Sequence, residues 1–274
     1  MLGKLIKYDL KSLNRLLIIL HVFLLITSVL IRIFLTGPLL SGFSEHTGVF
    51  FILVICFYIL LAIGVTYGTY IIIASRFYKN LFSDEGYLTH TLPVSAGQHL
   101  LSKTIAGSIW AIIDIILLYA SLYIVIAAPS LIHGYQSNQT EIRQQLGLVG
   151  KYADLSFTDI AMILLFFSIL SVISTVIMIH ASIILGQFFP SHPVIGSVVA
   201  YFALSMILSI ISSVILGING LLQLGYASSS ETLNIDYILK TGQILAISSV
   251  ICVISSILLY IFSYRFMKKR INLS

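Results

Sequence analysis

Six long apolar runs decide what this chain can fold into: Leu16–Leu35, Gly48–Ser75, Leu101–Ala128, Ile160–Phe188, Val194–Leu216 and Ile244–Tyr264. Each is about as long as the roughly 20 residues that a helix needs to cross the hydrocarbon of a bilayer. Inside lipid every backbone N–H and C=O must find an internal partner, which leaves helices and closed barrels. The runs lack the short in–out alternation of barrel strands. Only 9% of the 274 residues are charged, against about 25% in soluble domains. The expected fold is an all-α integral membrane protein, one domain over residues 1–274 with six transmembrane helices.

The first apolar run is long and no small-residue cleavage site follows it, so it reads as a retained span rather than a signal peptide. Ahead of it, residues 1–15 place Leu2, Leu5, Ile6, Leu10 and Leu13 on one helical face, and Lys4, Lys7 and Lys11 on another. That pattern predicts an amphipathic elbow helix lying in the membrane interface. Eleven of the fifteen Lys and Arg fall on one side of the membrane if both termini are cytoplasmic, as the positive-inside rule requires. The net charge of +5 therefore speaks for topology and anionic lipid, not for nucleic acid.

The connections differ in character. The outer loop near Gly37–His46 is short, whereas the polar stretch 130–158 is long enough for an outer cap. Pro190-Ser191-His192-Pro193 makes a tight inner link, because proline cannot continue a helix and restricts its predecessor. Residues 217–240 mix glycines with leucines, which suggests short outer helices half-buried in the membrane, an arrangement tolerated only against protein.

Missing motifs narrow the chemistry. The chain has no phosphate-binding G-x-x-x-x-G-K-[ST] loop and no H-E-x-x-H, and no G-x-S-x-G. No two of the histidines have the spacing of a helical metal pair, so neither catalytic nor metal-ligating residues are expected. Cys56 and Cys252 lie within apolar runs and read as buried thiols without a disulfide. Asn138-Gln-Thr140 matches a common sequon and carries no weight. Gly64 and Gly68 share a face of the second span and would admit a close helix, from the same chain or a second copy. Serines recur at helical spacing in the fourth span (Ser168, Ser171, Ser174) and the fifth (Ser205, Ser209, Ser212), which favours helix packing over a polar cavity wall.

Asp114 is the one acid deep within a span, roughly 15–20 Å from its inner end at 1.5 Å per residue. Charging it there would cost about 3 kcal/mol, so it is expected to be protonated, paired, or facing a water-filled cavity. His21 and His180 stand nearer the inner end, and depth does not single out either as the partner. Arg32 sits near the outer end of its span and can snorkel.

The segment Arg76–Ser95, RFYKNLFSDEGYLTHTLPVS, is the polar exception between two apolar runs. Phe77, Leu81 and Phe82 would form the apolar face of a short helix, ringed by Arg76, Lys79, Asp84 and Glu85. Ser83 is placed to cap a second turn, with the acids at the positive end of its dipole. With the six spans, the elbow and the half-buried outer helices, this layout resembles a permease of the type-2 class of ABC exporters over nearly its full length. Tyr87-Leu88-Thr89-His90-Thr91-Leu92-Pro93-Val94-Ser95 is similar to the "tLPvs" that follows the first inner loop in many small bacterial members.

The resemblance implies that 76–92 is a coupling segment, with Phe77, Leu81, Phe82, Asp84, Glu85, Tyr87 and Leu88 meeting a separate ABC ATPase subunit. ATP and Mg would bind that partner, and this chain would need no cofactor and be no enzyme. A second permease copy, identical or paralogous, would complete the pathway in a bacterial cell membrane. The small single-domain form is similar to exporters of amphipathic toxin peptides of the phenol-soluble modulin type, or of antimicrobial peptides. Asp114, His21 and His180 are then candidates for the translocation path. Two alternatives stand beside it: a proton-coupled secondary transporter using Asp114, and a non-transporting membrane protein that confers immunity by holding a peptide.

Overall fold

The computed structural model describes residues 2–36, 45–83, 86, 93–148, 150–221 and 233–270. Six long helices carry the fold: α1 (Leu2–Thr36), α2 (Glu45–Phe82), α3 (Ala96–Ile126), α6 (Phe157–Gly186), α7 (Pro193–Ile218) and α8 (Leu233–Arg270). All six are long and apolar enough to cross a membrane. Between α3 and α6 lie two short helices, α4 (Pro129–Ser137) and α5 (Gln139–Gln145), and a 3-10 turn at Gly150–Tyr152. No strand occurs among the described residues. The chain is a multi-pass membrane protein of the all-α class.

The helix ends follow local chemistry. Ser95 caps α3 by accepting from the Gln98 amide, while Gln98 accepts from the Ser95 amide. Ser156 and Asp159 form the same reciprocal box at α6. Such boxes satisfy two of the N–H groups a helix start leaves unpaired. Pro193 occupies the first turn of α7, where its missing N–H is harmless. The tight link expected between the fourth and fifth spans is present: α6 stops at Gly186 and α7 begins at Pro193.

Hydrogen bonds fix how the helices run. Asp9–Lys103, His21–Asp114 and Ser130–Leu35 pair α1 with α3 and the start of α4 at sequence offsets of 94, 93 and 95. A constant offset means α1 and α3 run parallel and in register. Thr104–His180 and Tyr119–Ser168 pair α3 with α6 in opposite order, so those two are antiparallel. Ser256 donates to Ser174 at 2.7 Å, and Cys252 lies beside Leu170, which sets α8 parallel to α6. The serines at 168 and 174 therefore pack helices together. Cys56 and Cys252 are free thiols, and only Cys252 is partly buried; Cys56 is exposed.

α3 and α6 form the centre, α3 against α1, α2, α6 and α8, and α6 also against α2, α7 and α8. At one end of the bundle Phe77, Leu81, Leu100, Ile179, Ile183, Ile184 and Met267 meet in a single apolar cluster. Asp9 and Lys103 join near the same end, so the start of α1 and the end of α8 lie together; this is called the basic end below. Outward faces such as Ile195, Val199, Met206 and Ile210 of α7 are exposed and apolar, as lipid-facing surfaces are.

Three expectations take a different form. The first 15 residues are not a separate elbow: α1 runs unbroken from Leu2 to Thr36, since residues 4–36 contain neither glycine nor proline to break it. Likewise α2 continues from the span through Arg76 to Phe82 without a separate short helix. Within the expected cap 130–158, the Arg143 guanidinium donates to the carbonyls of Ala153 and Leu155. Of the half-buried outer helices at 217–240, residues 222–232 lie outside the described residues, and α8 is one helix from Leu233 onward.

Candidate functional site

The deep acid has a partner. Asp114 Oδ1 lies 3.0 Å from His21 Nε2, both side chains almost fully enclosed. His21 Nδ1 sits 2.6 Å from the Leu17 carbonyl, and a carbonyl only accepts, so Nδ1 carries a proton. Nε2 then either accepts from a protonated Asp114 or donates to its carboxylate. The dyad as a whole is neutral and holds one transferable proton between two oxygen and nitrogen atoms. That is the least costly way to keep an ionisable pair within a membrane helix bundle.

His180 is not part of this dyad. Its ring stacks on Phe77, centroids 3.9 Å apart and planes at 14°, and its Nδ1 lies 3.2 Å from Thr104 Oγ1. Toward the basic end, Asp9 Oδ1 accepts from Lys103 Nζ at 3.0 Å and Asp9 Oδ2 accepts from Ser102. Trp110 Nε1 donates to the Leu10 carbonyl at 3.2 Å. The N-terminal third of α1 is thus tied to α3 by an ion pair and two hydrogen bonds. Sequence reasoning had assigned Asp9 and Lys103 no joint role; their offset of 94, beside 93 for the dyad, is the signal that links them.

A groove of about 840 Å³ lies between α2 and α7, floored by α6. Tyr67, Tyr70, Tyr201 and Phe202 supply aromatic walls, and Thr66, Thr175, Ser182 and Ser197 scatter hydroxyls among them. Among the described residues no Asp, Glu, Lys, Arg or His lines it. Tyr70 also packs against the cluster of Ile73, Ala111, Val172 and Val176, and Asp114 follows Ala111 by three residues on α3, so groove wall and dyad share one stretch of that helix. A surface of this kind binds aliphatic and aromatic groups and accommodates isolated polar ones.

The candidate coupling residues separate into two sets. Phe77 and Leu81 are 2% and 3% exposed and lie inside the basic-end cluster, with Phe82 packed partly against it. Their side chains hold α2 to α3, α6 and α8 and are not a free apolar face. Asp84, Glu85, Tyr87 and Leu88 lie outside the described residues. Gly68 faces Leu20 of α1, whose Cδ1 would sit 3.5 Å from an added Cβ, while Gly64 faces nothing within 4 Å. Of these two glycines, Gly68 is the one packed against another helix of this chain. Among the described residues no group of three His, Cys, Asp or Glu is arranged to hold a metal ion.

No family model, no curated protein and no solved structure matches the chain.

Proposed function

We propose that the protein is the membrane permease half of an ATP-driven exporter whose cargo is a hydrophobic or amphipathic peptide. The observation that carries this reading is that one uninterrupted helix, α2, contributes Tyr67 and Tyr70 to the groove and also continues as Arg76–Phe82 at the basic end. A partner acting on the segment after Phe82 would move a groove wall directly. The chain has no phosphate-binding loop of its own, so the ATP and Mg would reside on a separate ATPase subunit. The basic end would face the cytoplasm of a bacterial cell, where clustered Lys and Arg belong. A second permease copy would close the open side of the groove into a pathway.

In this reading Phe77 and Leu81 anchor the coupling segment, and Asp84, Glu85, Tyr87 and Leu88 make the contact. The uncharged groove suits an amphipathic chain, because a fixed charge there would need a counter-charge the lining lacks. ATP binding must favour one groove shape over the other by differential contact with the partner.

The test is co-expression with the ATPase encoded beside it, reconstitution in lipid, and measurement of ATP hydrolysis with amphipathic helical peptides. Peptide-stimulated hydrolysis that weakens in Tyr70→Ala and Tyr201→Ala supports the reading. Failure of the ATPase to co-purify with an intact 76–92 segment overturns it. One observation favours a second reading, proton-coupled transport: the His21–Asp114 dyad is enclosed in the bundle on the stretch of α3 against which Tyr70 of the groove packs. That reading requires transport that stops when the proton gradient is dissipated and persists without any ATPase.

A further inference from the structure

A small cavity of about 20 Å³, its wall mixing apolar and polar side chains, lies where α1, α2, α3 and α6 converge near the basic end. Asp9 and Ser12 of α1, Arg76 and Asn80 of α2, Lys103 of α3 and His180 of α6 stand in its wall. His180 is fully buried, and its Nε2 has no hydrogen-bond partner in the protein. Its other nitrogen is committed to Thr104, and the stack on Phe77 fixes the plane of the ring. Flipping the ring within that plane would give up the Thr104 contact, and turning it out of the plane would give up the stack. A buried polar atom left so is uncommon in folded proteins and calls for a ligand.

We infer that this cavity is a binding site for one ordered water molecule, which bridges His180 Nε2 to the Asp9–Lys103 pair. Size comes first: one water needs about 10–15 Å³ of space measured in this way, so the cavity holds one and little more. Charge comes second. The Asp9 carboxylate opposes an anion, and Arg76 with Lys103 opposes a cation. A neutral molecule that donates and accepts meets all of them. Partner number comes third, since a buried water makes about three hydrogen bonds and the wall offers a ring nitrogen, a carboxylate and an ammonium group. The water also suits either tautomer of His180: it accepts from an Nε2–H or donates to a bare Nε2.

The site explains why an ion pair sits here at all. Asp9 and Lys103 bind α1 to α3, and the water extends that tie to α6. Helices α1 and α6 are thereby joined by an exchangeable molecule instead of a direct side-chain bond.

The experiment uses the full chain, labelled with ¹⁵N-histidine, in lipid bilayers by solid-state NMR. Magnetisation transfer from water protons to the His180 ring nitrogen is expected, and the signal is assigned by its loss in His180→Phe. Asp9→Leu should reduce the transfer several-fold while leaving the signal of the Phe77-stacked ring in place. Should either variant fail to fold, the wild-type ¹⁵N shift of Nε2 still separates a hydrogen-bonded nitrogen from a bare one. A bare Nε2 without water transfer overturns the site. Bromide anomalous density at the cavity in crystals grown in bromide overturns the water assignment in favour of an anion.

Discussion

His21 Nε2 and Asp114 Oδ1 stand 3.0 Å apart in the interior of the bundle, and the Leu17 carbonyl settles which His21 nitrogen is free to meet the acid. In Asp114→Asn the side-chain amide can donate to the same Nε2, so the bond survives and the transferable proton does not. Asp114→Leu leaves Nε2 buried without a partner. Unfolding in mixed detergent should show Asp114→Leu destabilised by about 1–2 kcal/mol, the range for polar contacts between membrane helices. Asp114→Asn should stay within about 0.5 kcal/mol of the parent. Equal losses in both would mean the contact does not support the fold. Transport retained in Asp114→Asn separates an ATP-driven mechanism from a proton-driven one.

The Asp9–Lys103 pair makes a different claim. Removing one charge strands the other, and for fully enclosed pairs that costs about 3–5 kcal/mol, whereas replacing both by apolar groups is often neutral. Asp9 retains 15% side-chain exposure, so Asp9→Leu alone should cost less, about 2 kcal/mol. Adding Lys103→Met to it should recover more than half of the loss. Strictly additive losses in the double variant would count against the pair.

Gly186 and Gly64 form a matched test of helix contact. An added Cβ at Gly186 would collide with the Ser197 hydroxyl and sit 2.6 Å from the Ser197 nitrogen and 2.7 Å from the Pro193 oxygen. Backbone cannot give way as a flexible side chain does, so Gly186→Ala should destabilise by about 2–3 kcal/mol. At Gly64 nothing lies within 4 Å, and alanine is the better helix former by about 1 kcal/mol. Gly64→Ala should leave monomer stability unchanged or higher. A drop in self-association of Gly64→Leu, seen by cross-linking in membranes, would place that face against a second copy.

Residues along the candidate coupling segment should divide by phenotype. Phe77→Ala and Leu81→Ala remove buried side chains and should cost about 2–4 kcal/mol of stability before any partner is present. Asp84→Ala with Glu85→Ala should leave stability as it was and abolish co-purification of the ATPase. Loss of partner binding in Phe77→Ala at full stability would mean that this side chain faces outward.

The six spans were legible because a run of apolar residues is itself the physical requirement for crossing lipid. Their ends were not. Neither Lys4–Arg15 nor Arg76–Phe82 contains a glycine or proline to break a helix, so amphipathic sequence that reads as a separate element simply extends the span. Leu81 and Phe77 looked like a surface face for the same reason: spacing gives a face but not what covers it. The dyad partner was missed for a countable cause. Depth was measured from Leu16 in one span and Leu101 in the other, whereas α1 and α3 register from Asp9 and Lys103. The water-sized cavity involves four helices and has no counterpart in any local pattern.

The unbroken course of α2 has a mechanical consequence. Its 38 residues measure roughly 57 Å at 1.5 Å per residue, almost twice the roughly 30 Å of hydrocarbon. Ile73, buried among α3 and α6, stands far nearer the Phe82 end than the Glu45 end. For a tilt of about 10° about Ile73, the 1.5 Å rise moves Phe82 by roughly 2 Å and Glu45 by roughly 7 Å the opposite way. The helix is a lever with unequal arms: a small push at its short arm swings the Glu45 end about threefold further, while Ala62 at the far edge of the groove moves roughly 3 Å.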